Sequence, residues 1–115
     1  MSSPSAAQES PLFSRLHDLL LWLTQRVEKF PRSQRFLLGS RLLDSGFACH
    51  AALIRARKVA TPLRAEALLQ ADIHLETTRQ QLRLAFELRC LTPDQFEYGA
   101  RLIKEVGRLL GSWRK

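Results

Sequence analysis

The sequence predicts an all-α fold: one antiparallel, up-down-up-down four-helix bundle. Three observations predict it. Apolar residues recur at three-to-four spacing over four long stretches, the period of a helix with one buried face. Glycine and proline number only five each, and the internal prolines stand where helices should begin or end. The stretches are joined by short links, which force consecutive helices to pack antiparallel. At 115 residues there is room for one core, and 45% hydrophobic with 25% charged residues is an ordinary globular balance. Residues 1–9, rich in Ser, Ala and Pro, read as a disordered tail, and 10–115 as the bundle domain.

The first helix is expected to start at Ser10-Pro11, an N-cap followed by proline, and to stop before Pro31. Leu16, Leu20, Leu23, Val27 and Phe30 form its stripe. The second should run from Ser33 to Lys58 with two stripes: Leu38, Leu42, Cys49, Leu53 and Ala56, and Phe36, Leu43, Phe47 and Ile54. A helix apolar on two sides is expected to lie between neighbours, and Gly39 and Gly46 suit close backbone approach. The third should start with Thr61 as cap and Pro62 as first helical residue and reach Cys90, with Leu68, Ala71, Leu75, Thr78, Leu82 and Ala85 as seam. The fourth starts at Thr92-Pro93, where Thr92 and Gln95 make a capping box. Its seam is Phe96, Gly99, Ile103, Val106, Leu110 and Trp113, and Gly107 and Gly111 share a face open to another backbone.

Chemistry-bearing motifs are missing. His17, His50 and His74 fall on three different helices without a second ligand at metal spacing, so no metal or cofactor is expected. There is no Gly-rich phosphate loop, no nucleophile elbow, and no Arg-x(4–6)-His pair of the kind helical ribonucleases use. The chain therefore reads as a non-enzyme. Cys49 and Cys90 form no CxxC and read as free thiols in helical surroundings, which fits a cytoplasmic protein, with a disulfide between two helices as the alternative. The apolar run at Leu19–Leu23 is too short to cross a bilayer, so no membrane partner is expected.

Charge is the informative feature. Eighteen Lys and Arg against 11 Asp and Glu give a net charge of +7, and most of the cations are Arg, the better bidentate phosphate ligand. Residues 32–64 carry seven cations (Arg32, Arg35, Arg41, Arg55, Arg57, Lys58, Arg64) against Asp44 alone. Arg101, Lys104 and Arg108 form a like-signed stripe on the fourth helix. On the third helix Asp72, Glu76, Arg79, Arg83 and Glu87 share a narrow arc at 100° per residue. Glu76 with Arg79, and Arg83 with Glu87, stand at ion-pair spacings worth about 0.2–0.5 kcal/mol each. That arc suits a solvated face, while Arg79 and Arg83, like charges four apart, suit an anion between them. A basic surface spread over the body and both ends fits sequence-independent phosphate binding better than groove readout. Trp22 and Trp113 suit the core, and Trp22, off the main stripe of its helix, also suits a contact between copies.

Thr92-Pro93-Asp94-Gln95 followed by Leu102-Ile103-Lys104-Glu105-Val106-Gly107-Arg108-Leu109-Leu110-Gly111-Ser112-Trp113 resembles the accessory variability determinant (Avd) of diversity-generating retroelements. Phe30-Pro31-Arg32-Ser33 with Phe36-Leu37-Leu38-Gly39 is similar to the wider four-helix-bundle family that includes proteins encoded in intervening sequences of ribosomal RNA genes. The resemblance spans residues 12 to 114. It implies a bundle assembled into a homopentameric barrel, encoded by a bacterium or phage. It implies binding to a reverse transcriptase and to template-derived RNA or DNA, in support of mutagenic retrohoming. Asp72, Arg79 and Arg83 match the acid-and-arginine spacing of the family, which assigns Arg79 and Arg83 to nucleic acid or polymerase. Arg32, Arg35, Arg41, Arg64, Arg101, Lys104 and Arg108 join them as candidate contacts, and Trp22, Asp72, Glu76 and Glu87 as candidate contacts between copies. The alternatives are a generic bundle of the intervening-sequence type with a structural role, and a small helical ribonuclease or toxin-antitoxin protein.

Overall fold

Helix α1, Pro11–Val27, starts where the Ser10 hydroxyl accepts the Leu12 N–H at 3.1 Å, with Pro11 in the first turn. The computed structural model describes residues 10–115, so the expected tail at 1–9 lies outside the described residues. The apolar period of α1 places Leu12, Leu16, Leu19, Leu20, Leu23 and Val27 in the core, and Phe30, past the helix end, folds back into it.

The next helix begins at Arg32 rather than Ser33, and not as an ideal α-helix. A single turn, Arg32–Gln34, leads into a π-helical stretch, Arg35–Gly39, which continues into α2, Ser40–Lys58. Crowding explains the need for glycine here. A Cβ at Gly39 would lie 2.7 Å from the Val27 side chain, and one at Gly46 would lie 3.0 Å from Leu20. Both glycines let α1 seat closely on α2, as expected of them.

α2 turns into α3, Leu63–Glu87, within residues 59–62. Thr61 does not cap α3, contrary to expectation. The position before the helix is Pro62, across a cis Thr61–Pro62 bond, with no side-chain cap. The early N–H groups of Arg64 and Glu66 go instead to the Ala60 and Pro62 carbonyls. Small residues are buried on both α2 (Ser45, Cys49 and Ala56) and α3 (Ala67, Ala71 and Ala85), and Ser45 bonds Thr78 between the two helices at 2.7 Å. That buried pair is fully satisfied, with Gln81, Leu42 and His74 as further partners.

α3 stops at Glu87, three residues short of Cys90. Arg89 adopts φ 64°, and the Cys90 N–H reaches back to the Ala85 carbonyl while the Arg89 N–H reaches Phe86. These two bonds make a Schellman closure with arginine where glycine usually stands. Cys90 is thus beyond the helix, while Cys49 is buried in α2, and both are free thiols. α4, Pro93–Trp113, opens with the expected capping box at Thr92 and Gln95.

The four helices close a ring in which each packs on the next and α1 packs on α4. Phe13 of α1 meets Trp113 of α4 at one end, and Phe86 stacks on Phe96 at the other, which confirms the antiparallel course. Among the described residues there is no strand.

Ring closure leaves each helix an outer face, and here the second stripe of α2 departs from expectation. Leu43 is half-buried, but Phe36 is 69% exposed and Phe47 and Ile54 are exposed with it. Leu37 adds to the same region, α3 exposes Leu69, Ile73 and Leu84, and Leu88 just past its end is exposed as well. Gly107 and Gly111 also meet no neighbouring backbone: only Leu75 comes within 3.6 Å of a Cβ at Gly107, and nothing within 4 Å at Gly111.

Candidate nucleic-acid interface

The outer arc of α3 is an ion-pair ladder. The Arg79 guanidinium donates to both Glu76 oxygens, at 2.9 and 2.6 Å, and Gln80 donates to the same carboxylate. These hydrogen bonds, Arg79 first, hold the Glu76 carboxyl down to about 2 and push Arg79 further up. Arg83 pairs with Glu87 at 3.3 Å. All four side chains are exposed, so the pairs orient more than they stabilise. They also cancel charge: the two arginines assigned to phosphate carry their own counter-ions, and each still has guanidinium donors free. Asp72 is taken too, by Arg114 at 2.8 Å.

The cations that form no ion pair with a described residue lie elsewhere. At the end where α2 leads into α3 they are Arg55, Arg57, Lys58, Arg64 and Lys115, and at the opposite end Arg26, Lys29, Arg32, Arg35 and Arg89. Arg41 stands exposed on α2, and Arg101 and Lys104 on α4. Arg108 is nearly as free, 3.9 Å from a Glu105 that Arg15 approaches equally. A shallow hollow of about 510 Å³ runs along Arg101, Lys104, Glu105 and Arg108. The cations identified from the sequence are therefore not brought together into one patch. They surround the bundle.

One concentration was not legible as a site. Arg57 lies 4.6 Å over the Phe13 ring, Phe13 is 5.8 Å from Trp113, and Arg64 lies 5.4 Å over Trp113. Two guanidiniums thus flank a ring pair, each favourably placed against an aromatic face. The signal was available: in an up-down bundle the start of the first helix must meet the end of the fourth, which places Phe13 beside Trp113. The third such contact, Arg101 over Tyr98 at 5.9 Å, holds a cation on the α4 face.

Trp22 serves packing within the chain. Its ring lies on Gly99, 2.5 Å from where a Cβ would stand, and 5.8 Å from the Tyr98 ring. Only the rest of its surface is left for a second copy. His50 meets Phe13 edge-on at 6.2 Å. Among the described residues no group of His, Cys, Asp or Glu is arranged to hold a metal, and no helix is long and apolar enough to cross a membrane.

A basic, all-helical four-helix bundle with a solvated, ion-paired third helix is the class of protein defined by these features. The chain belongs to the bAvd-like family, which it matches over residues 12–115, and is thereby an Avd-type protein. A solved structure is similar in fold: a protein of unknown function from the S23 ribosomal protein family of Bacteroides thetaiotaomicron, with a TM-score of 0.83. It is 18% identical, and the match covers 90% of this chain and 94% of that one. No curated protein matches the chain.

Proposed function

We propose that this chain is a non-catalytic accessory protein of a diversity-generating retroelement, binding the reverse transcriptase and template RNA or DNA through its basic surface in support of mutagenic retrohoming. Membership of the bAvd-like family carries the reading. The distribution of cations supports it. Unpaired Arg and Lys on both ends and on the α4 face suit contact with phosphates along a folded strand, with affinity from counterion release rather than base readout. Assembly into a homopentamer belongs to the same proposal. The exposed apolar residues Phe36 and Leu37 in the π-helical stretch, Phe47 on α2, and Ile73 and Leu84 on α3 are surface that association would cover. Five copies would carry about +35, concentrating the field on one particle.

The test combines light scattering, with and without a structured RNA at low and moderate salt, and co-purification with the reverse transcriptase of a retroelement. The expected result is about five chains per particle, RNA binding that weakens steeply as salt rises, and retention of the polymerase. Arg79→Ala with Arg83→Ala should weaken RNA or polymerase binding, since both arginines retain free donors outside their ion pairs. A monomer indifferent to RNA and polymerase would overturn the proposal.

A further inference from the structure

A hollow of about 240 Å³ lies between the start of α3 and the end of α4. Thr61, Arg64, Leu68, Trp113, Arg114 and Lys115 line it. Leu68, a core residue, and the half-buried Trp113 give it an apolar part, and Arg64, Arg114 and Lys115 make the rest of its lining largely polar. A charge-assisted hydrogen bond beside apolar side chains is stronger than one fully surrounded by water.

Arg64 is held before any ligand arrives. One of its amino groups donates to the Ala56 carbonyl at 3.1 Å while its guanidinium rests over Trp113. Its remaining donors need little further ordering to engage an anion. Arg114 is likewise steadied by Asp72. The side chains around the hollow, Arg64, Arg114 and Lys115 against Asp72, leave a net charge of about two positive units. A phosphomonoester near neutral pH carries about −1.5 to −2, whereas an internal phosphodiester carries one negative charge.

We propose that this hollow binds the terminal phosphomonoester of a nucleic-acid strand, an inference that rests on the nucleic-acid reading above. The strand then leaves past the Phe13–Trp113 pair toward Arg57 and Lys58, which line the next hollow at this end, also about 240 Å³. An excess of positive side chains around one hollow favours a doubly charged strand end over the singly charged phosphate of a passing backbone. The Thr61 hydroxyl at its edge offers one further donor.

The test is binding of the full chain to short labelled RNAs of one sequence, bearing a 5′-phosphate, a 3′-phosphate or hydroxyls at both ends. One phosphorylated form should bind about tenfold tighter than the hydroxyl form, the effect of one good charge-assisted contact. Arg64→Gln and Lys115→Gln should remove that preference. Lys115 lies beyond α4 and is exposed, so its variant keeps the test open should Arg64→Gln disturb the fold. Lys104→Gln, on the α4 face, should weaken all three RNAs equally and leave the preference intact. RNAs that bind with no difference between ends would overturn this inference and leave the broader reading standing. Failure of every RNA to bind would sink the broader reading and this one with it.

Discussion

Gly99→Ala, set against Gly111→Ala on the same helix, tests the packing of α1 on α4. Both changes replace helical glycine by alanine, which by propensity alone is worth about 1 kcal/mol of added stability. The surroundings differ. At Gly111 an added Cβ meets nothing within 4 Å, so the gain is realised. At Gly99 it would stand 2.5 Å from two atoms of the Trp22 ring and 3.0 Å from Leu82. Restoring an ordinary carbon contact of about 3.5–4.0 Å requires the ring to move about 1 Å. That ring lies against Gly99 with the Tyr98 ring of the same helix beside it, and overpacking of this kind costs about 1–3 kcal/mol. Gly99→Ala should therefore destabilise by about 0–2 kcal/mol net, and the two variants should differ by about 1–3 kcal/mol. Urea unfolding followed by circular dichroism, at one protein concentration for all variants, reads the difference. Gly99→Ala gaining as much stability as Gly111→Ala would refute the close seating of Trp22 and restore that residue as a free interface side chain.

Freeing the α3 arginines should strengthen phosphate binding: Glu76→Gln with Glu87→Gln is expected to raise RNA affinity and steepen its salt dependence by up to about two phosphate contacts, read by fluorescence anisotropy across a salt series. The Glu76 carboxyl should titrate near 2 rather than near its ordinary 4.5, because Arg79 and Gln80 bond its charged form. A folded value below the unfolded one means that the contribution of the pair is complete above about 4.5 and lost as pH falls toward 2, and carbon NMR of the side chain would show it. Arg89→Gly should stabilise by roughly 0.5–1 kcal/mol by removing a side chain from the left-handed closure of α3, visible as a higher melting temperature. Thr78→Val should cost about 0.5–1.5 kcal/mol, the net worth of its buried bond to Ser45, which keeps Leu42 and Gln81 as partners.

What the sequence by itself determined is the set of helices and their inward faces. Period and caps are local properties, and Leu16, Leu20, Leu42, Leu53, Leu82 and Leu110 went where their spacing pointed because a helix has one geometry. The ion pairs of Glu76 with Arg79 and Arg83 with Glu87 were legible for the same reason. Irregular backbone was less so: the π-helical stretch before α2 and the Arg89 closure arise from crowding and carbonyl satisfaction that no residue pattern displays. Only the tertiary structure decided which second stripe is covered, because a four-membered ring gives each helix two neighbours and leaves Phe36, Phe47 and Ile54 outside. It alone decided which cations are free, since Arg114 finds Asp72 across forty-two residues of chain. And it alone assembled the end of the bundle, where Phe13, Trp113, Arg57 and Arg64 meet from four different helices or their junctions. Contacts within one helix follow from its period, while contacts between helices depend on how the whole ring closes.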